Sequence, residues 1–246
     1  MHHRACVRIG LLFLASLCAT VCHAKIPKLR DLPVVATPVY PYDALIQKRE
    51  GMAVLECILN TKGQLVDISV VSSDGSDFSG AALAYADVRN YASDVEQMRP
   101  GEEFIKINLR IFFRETKDWA MYQSPAAPTE SAMWFVRKLR RDPTGKFLTP
   151  ANQLDHNLEP VSQKAPVFPS LLRDKTKSGS ALIEVCIDKS GDVILPRIIS
   201  ATDPAFGYAA CQGISEWKFK PPLKKGRQTV TRVRIPVDFD LKATAE

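Results

Sequence analysis

The chain has 246 residues, 46% of them apolar and 24% charged, a balance that can bury a core and excludes wholesale disorder. At ~150 residues per domain the length fits one or two domains. The net charge of +6 is mildly basic and does not by itself point to nucleic acid.

Residues 1–24 predict an export signal. Arg4 and Arg8 form a basic start, Ile9 to Cys22 is a run of 14 apolar or small residues, and Cys22-His23-Ala24 sets small residues where a signal peptidase reads them. That run is shorter than the ~20 residues that span hydrocarbon, so cleavage after Ala24 is expected, with an N-terminal inner-membrane anchor as the alternative. Leu17 before Cys18 and Val21 before Cys22 argue against lipid attachment. No later segment is apolar enough to span a membrane, and the mature protein is expected to be exported and soluble. It keeps Cys57, Cys186 and Cys211, an odd number in a compartment that permits disulfides.

After Tyr40-Pro41 a short helical turn is predicted over Tyr42 to Lys48. In the next segment Ala53, Leu55, Cys57 and Leu59 alternate with Val54, Glu56, Ile58 and Asn60, the period of a half-buried strand. Asn60-Thr61-Lys62-Gly63 predicts a tight hairpin turn, and Gln64 to Ser72 the return strand. A helix is expected from Asp77 to Asn90, then a long strand with Ile105, Ile107, Leu109, Ile111 and Phe113 in alternation.

Residues 117–160 break this plan with Pro125, Pro128, Pro143, Pro150 and Pro160. A helix from about Thr129 to Arg141 is predicted, with Ala132, Val136 and Leu139 on one face and Arg137, Lys138, Arg140 and Arg141 nearby. That basic cluster fits either a solvated face on a docking helix or a contact with a membrane surface or partner.

The plan then repeats. Pro38-Val39-Tyr40-Pro41 recurs as Pro166-Val167-Phe168-Pro169, and the same offset of 128 residues carries Gly51 to Gly179, Glu56 to Glu184, Gly63 to Gly191 and Phe78 to Phe206. One register held this far identifies a duplicated domain, at 33–116 and 161–242. The second copy predicts a turn over Ser170 to Lys175 and a strand with Ala181, Ile183, Val185 and Ile187 inward and Glu184 and Asp188 outward. There follow a hairpin at Asp188 to Gly191, a return strand to Ser200, and a helix from Pro204 to Trp217 capped by Asp203. Val233, Ile235, Val237 and Phe239 alternate in the last strand. The expected fold class is α+β: two tandem domains, each a three-stranded antiparallel sheet with a helix on one face.

These elements, the Tyr-Pro or Phe-Pro start, the Gly-strand-turn-Gly hairpins and Trp217-Lys218-Phe219-Lys220-Pro221 at the second helix exit resemble the C-terminal domain of TonB and related energy-transducer proteins. In the first copy Arg89-Asn90-Tyr91-Ala92-Ser93 stands where the Trp-x-Phe-x-Pro element belongs. The resemblance implies a periplasmic domain that binds an extended segment of an envelope protein or outer-membrane receptor by adding a strand to a sheet edge. It nominates the last strand of each copy with the aromatic-Pro segment beside it. The candidate residues are Tyr40, Pro41, Phe168 and Pro169, together with Thr229, Val230, Arg232, Val233, Arg234 and Ile235. Pro236 lacks an N–H and fits an edge, which either centres the expected contact on Thr229 to Ile235 or guards the edge against unwanted pairing. Energy transducers of the family retain a membrane anchor containing a histidine and a long Pro-rich spacer, whereas here a cleavable signal is expected and the first domain starts soon after it; Thr37, Val39, Ala165 and Val167 stand where members carry glutamines.

Little suggests an enzyme. His156 is the one histidine after the leader, and neither a phosphate-binding Gly-rich loop nor metal-ligand spacing is present. A protein without cofactor or metal is expected. Tyr40 and Phe168 fit either ligand stacking or anchorage in the core. A Cys186–Cys211 disulfide would have to join the outer sheet face to the covering helix, which the geometry disfavours. Lys218, Lys220, Lys224, Lys225, Arg227, Arg232 and Arg234 make the end of the second copy basic. The alternative to partner binding is a self-associating envelope scaffold, a homodimer through the same edges.

Overall fold

The computed structural model describes residues 36–115, 125–126 and 128–241; the leader lies outside them. The first copy runs α1 (Tyr42–Ile46), β1 (Gly51–Asn60), β2 (Leu65–Ser73), α2 (Ser76–Ala86), a one-turn α3 (Ala92–Val95) and β3 (Phe104–Phe113). The linker holds β4 (Pro125–Ala126), α4 (Glu130–Arg141), β5 (Thr149–Pro150) and β6 (Pro160–Ser162). The second copy has a 3₁₀ turn at Ser170–Leu172, β7 (Ser178–Ile187), β8 (Val193–Ala201) and α5 (Pro204–Ile214). It continues through β9 (Lys218–Phe219) and the hairpin of β10 (Leu223–Lys224) and β11 (Arg227–Gln228) to β12 (Thr231–Asp240).

Both sheets are α+β modules of the expected kind, in the orders β2-β1-β3-β4 and β8-β7-β12-β5. The fourth strand in each was not anticipated. β4 pairs parallel with Phe112 and Phe113, and β5 pairs parallel with Thr231 and Arg232. The linker thus lays one two-residue strap on each final strand.

The alternation read in sequence places the cores. Ala53, Leu55, Cys57 and Leu59 face α2, and Ala181, Ile183, Val185 and Ile187 face α5, all buried. In each core three aromatics meet: Tyr40, Phe78 and Phe113 with ring centroids 5.1–6.4 Å apart, and Phe168, Phe206 and Phe239 at 4.9–6.3 Å. Gly51 and Gly179 recur because a Cβ there would be driven into the ring of Phe78 or Phe206. Both hairpin glycines have positive φ, +70° at Gly63 and +85° at Gly191. Asp203 caps α5 by accepting from Ala205 N–H at 2.8 Å, and Thr129 caps α4 through Ala132 N–H at 3.1 Å.

Several local expectations are corrected. α2 and α5 end three to four residues early, because Tyr91 and Trp217 leave the helix axis to enter the cores. Asp188, expected outward, is buried. It caps its own turn through the N–H groups of Ser190 and Asp192 and accepts from Ser131 Oγ. The cysteines need no such correction: Cys57, Cys186 and Cys211 are buried free thiols, and the disfavoured Cys186–Cys211 bridge is not formed. Cys211 packs in the core under α5, whereas Cys186 joins Leu148 and Phe135 in the cluster on the other side of the sheet. The outer face of the second sheet is therefore covered as well, by α4 and the residues after it.

The copies pack about a pseudo-twofold axis. α2 lies against α5, α1 against β8, and the Ser170–Leu172 turn against β2. At the axis Gly80 accommodates the ring of Tyr208, and these two residues are separated by the repeat offset itself. Such reciprocity is what an isologous contact produces.

Candidate docking edges

β3 and β12 lie on the sides of their sheets away from the helix-to-helix contact. β3 pairs with β1 along its whole length, and on the other side with β4 only at Phe112 and Phe113. Among the described strands none pairs with that side over Phe104–Ile111. β12 pairs with β7 throughout, and its second side carries β5 only at Thr231 and Arg232. The span Val233–Asp240 is without a second described strand. The straps sit at opposite ends, on the last residues of β3 and the first residues of β12.

Backbone alternation identifies the groups on the open side. Thr149 N–H donates to Val230 C=O at 2.8 Å. The even-numbered residues of β12 therefore turn their backbone groups away from β7. Arg234 and Asp238 each present an N–H and a C=O there, and Pro236 presents only its C=O. The final strands align with an offset of 126 rather than 128, since Gly51 faces Phe113 while Gly179 faces Phe239. Asn108 is thus the counterpart of Arg234, with the same parity.

One acid–base cluster beside the edges recurs in both copies. Glu56 and Glu184 occupy equivalent positions on the outer faces. Lys106 lies 2.9 Å from Glu56, and Arg234 and Arg232 lie 3.3 and 3.8 Å from Glu184. These pairs are partly exposed and contribute little to stability; the outer border of β3 is basic, with Arg110 exposed beside Lys106, whereas the open span of β12 sets Arg234 beside the exposed Asp238.

The residues nominated from sequence are distributed unevenly. Val233, Arg234 and Ile235 lie on the open span, with Ile235 pointing into the core. Thr229, Val230 and Arg232 are already engaged. Thr229 and Thr149 hydroxyls meet at 2.7 Å, Val230 C=O is taken, and Arg232 pairs with Pro150. The window Thr229–Ile235 is corrected accordingly: its first half holds the strap, and the open half is Val233–Asp240. Tyr40, Pro41, Phe168 and Pro169 are buried, which corrects their assignment to a contact surface. Phe168 is 0% exposed, and Tyr40 donates its hydroxyl to Arg49 C=O at 2.7 Å.

The segment before Tyr40 is itself held by the second copy. Buried Gln212 on α5 donates to Thr37 C=O at 2.9 Å and accepts from Val39 N–H at 3.2 Å. Nothing in the sequence marked Gln212; its first-copy counterpart is Ala84. A cavity of about 470 Å³ opens beside it between the copies, where Arg49 is paired with Asp77 and Arg197 with Asp43.

A second inter-copy contact titrates. Asp87, just after α2, accepts from Ser170 N–H at 3.1 Å, while its Oδ1 and Arg173 Nε, both buried, have no partner among the described residues. Burial pushes the Asp87 carboxyl up to about 6, against the ordinary 3.8, with Ser170 and Arg173 opposing the rise. The folded state therefore binds the proton more tightly than the unfolded one. The stability from this group is complete below pH 3.8 and is lost as pH rises through about 6. Denaturation midpoints should show Asp87→Asn more stabilising at about pH 7.5 than at about pH 5; an equal effect at both would remove Asp87 from the linkage.

Comparison with known proteins gives two findings. The family described as Gram-negative bacterial TonB protein C-terminal matches residues 36–113 and 164–241, more than half of the chain. Protein TonB of Vibrio cholerae serotype O1 is 28% identical over 82 residues, which is 33% of this chain and 34% of that protein. The chain thus spans about a third of the length of the curated relative it matches.

Proposed function

Because the chain belongs to the TonB C-terminal family and carries that domain twice, we propose that it is an exported periplasmic binding protein that docks extended segments of envelope or outer-membrane partners at two sheet edges. The observation that carries this reading is the pair of final strands, β3 and β12, each open along most of one side and each turned away from the contact between the copies. An incoming strand gains backbone hydrogen bonds from alternate residues, at Lys106, Asn108 and Arg110 on one edge and Arg234 and Asp238 on the other. The basic outer border of β3 favours a segment with acidic residues at alternate positions, while the mixed charges of β12 favour neither sign. Docking of this kind requires no force transduction by the chain itself and suits a role accessory to TonB-dependent transport. Binding is the proposed chemistry of these edges.

The test removes one edge-facing N–H from each copy without touching the inner ladder. Outer-membrane extract passed over the immobilised chain is expected to leave a specific partner bound. Asn108→Pro or Arg234→Pro should each weaken retention by roughly tenfold, as expected for one or two lost hydrogen bonds at a buried ladder, and the double variant should abolish it. Unchanged retention by the double variant overturns the docking reading.

A self-associating scaffold is the second reading, and β2 is the observation in its favour. Val66, Val70 and Val71 are 55%, 44% and 59% exposed on that edge, an arrangement prone to strand pairing. The equivalent edge β8 is blunted by a bulge at Leu195 (φ 54°) and by Pro196, while each of the two edges also meets one turn of the other copy, α1 on β8 and Ser170–Leu172 on β2. Light scattering on the same proteins separates the readings: a stable dimer unaffected by Asn108→Pro and Arg234→Pro favours the scaffold.

A further inference from the structure

The linker helix α4 carries a surface that the docking edges do not use. Its inner face, Ala132, Phe135, Val136 and Leu139, is buried. Arg140 is also committed inward, donating to the carbonyls of Leu45 and Ile46 and pairing with Glu115. On the opposite side Trp134, Arg137, Lys138 and Arg141 follow one another at helical spacing on a single exposed stripe.

Trp134 is 43% exposed, although an indole ordinarily finds cover. Phe147 flanks it, with ring centroids 6.3 Å apart, and Phe135 backs it at 4.6 Å. The Lys138 ammonium sits 4.2 Å from the Trp134 centroid and 5.3 Å from that of Phe147. Arg137, Lys138, Arg141 and Lys146 make no ion pair among the described residues. Glu130 is the one acidic side chain of the helix, a full turn before Trp134, and the Asp142 carboxylate is occupied by the N–H groups of Thr144 and Lys146.

We propose that this stripe of α4, extended by Lys146 and Phe147, seats the protein on a membrane surface rich in anionic lipid. The indole is the group most exposed in the aromatic cluster, and cations surround it on the same ridge. That pattern suits an interfacial helix, with the ring at headgroup depth and the long basic side chains reaching lipid phosphates. Charge complementarity decides the lipid class, since four cations without an ion pair among the described residues meet a surface of negative potential.

Sedimentation with vesicles of phosphatidylethanolamine and phosphatidylglycerol, against phosphatidylcholine alone, tests this on the full chain. Binding to the anionic vesicles is expected, with a blue shift of tryptophan emission that Trp134→Phe removes. Arg137→Glu with Lys138→Glu should lower partitioning by at least ~25-fold, each cation counting roughly fivefold. These positions are exposed, so folding is preserved. Lys62→Glu with Lys189→Glu, at the exposed hairpin tips, changes net charge equally and should leave partitioning within about twofold. An equal loss from both pairs reduces the effect to net charge and overturns the proposal. So does the absence of vesicle binding, or α4-dependent binding to polyglutamate in its place. The docking edges are untouched by these variants, so retention of a protein partner is an independent result.

Discussion

Gly191→Ala is expected to lower the unfolding free energy by about 3 kcal/mol or more, while Gly63→Ala at the equivalent hairpin lowers it by about 1 kcal/mol. Both glycines hold positive φ, and both variants suffer that conformational strain. The difference lies above the turn. At Gly63 an added Cβ meets the Tyr91 backbone at 3.7 Å, an ordinary contact. At Gly191 it is driven into the carbonyl oxygen of Phe219, and Phe219 N–H in turn donates to Gly191 C=O at 2.8 Å. The turn and β9 are locked backbone to backbone, and neither can yield without losing that bond. Urea denaturation followed by circular dichroism measures both variants; equal losses would show that the β9 clamp gives way freely.

Trp217→Ala should remove about 3–5 kcal/mol, against about 1 kcal/mol for Arg89→Ala at the equivalent place. Trp217 is 2% exposed, lies 6.4 Å from the Phe219 ring and donates its indole N–H to Lys164 C=O at 2.8 Å. Its loss leaves a large cavity and an unpaired carbonyl together. In the first copy the Arg89 guanidinium lies 4.6 Å from the Tyr91 centroid and pairs with Asp94 at 2.6 Å. The aromatic core residue has become a partly exposed cation over a ring, so truncation opens no cavity. Trp217→Phe should fall between, recovering most packing without the N–H. A loss below about 1.5 kcal/mol for Trp217→Ala would mean the second core closes around the gap.

These two results would follow the duplication residue by residue. The repeat was legible because turns and core positions are local signals. Gly63 and Gly191 mark the same turn, and Gly51 with Phe78 and Gly179 with Phe206 mark the same close approach of ring to strand. The last strand shows where reading by offset fails. The first copy holds two more residues between its helix and β3, and only the pairing of Gly51 with Phe113 reveals the change of register. Tyr40 and Phe168 illustrate another loss. An aromatic beside proline at a domain start is compatible with a contact surface or a core, and local pattern alone does not distinguish them.

The candidate site was half legible. Alternation located β3 and β12 as final strands, and Pro236 marked β12 as an edge. That Thr229 to Arg232 would be covered depended on where residues 149–150 return, more than eighty positions earlier in the chain. Gln212 and Asp87 were invisible for a related reason, because a lone buried polar residue acquires its role from a partner far away in sequence.

What the amino-acid sequence determined by itself was the unit: a strand hairpin, a covering helix and a closing strand, written twice through side-chain period, turn glycines and caps. Those features act over a few residues, so their physics is contained in short windows. The tertiary structure decided how the units meet, which stretch of each border stays open, and which face of α4 looks outward. Those outcomes rest on contacts between distant segments, whose geometry no local periodicity contains.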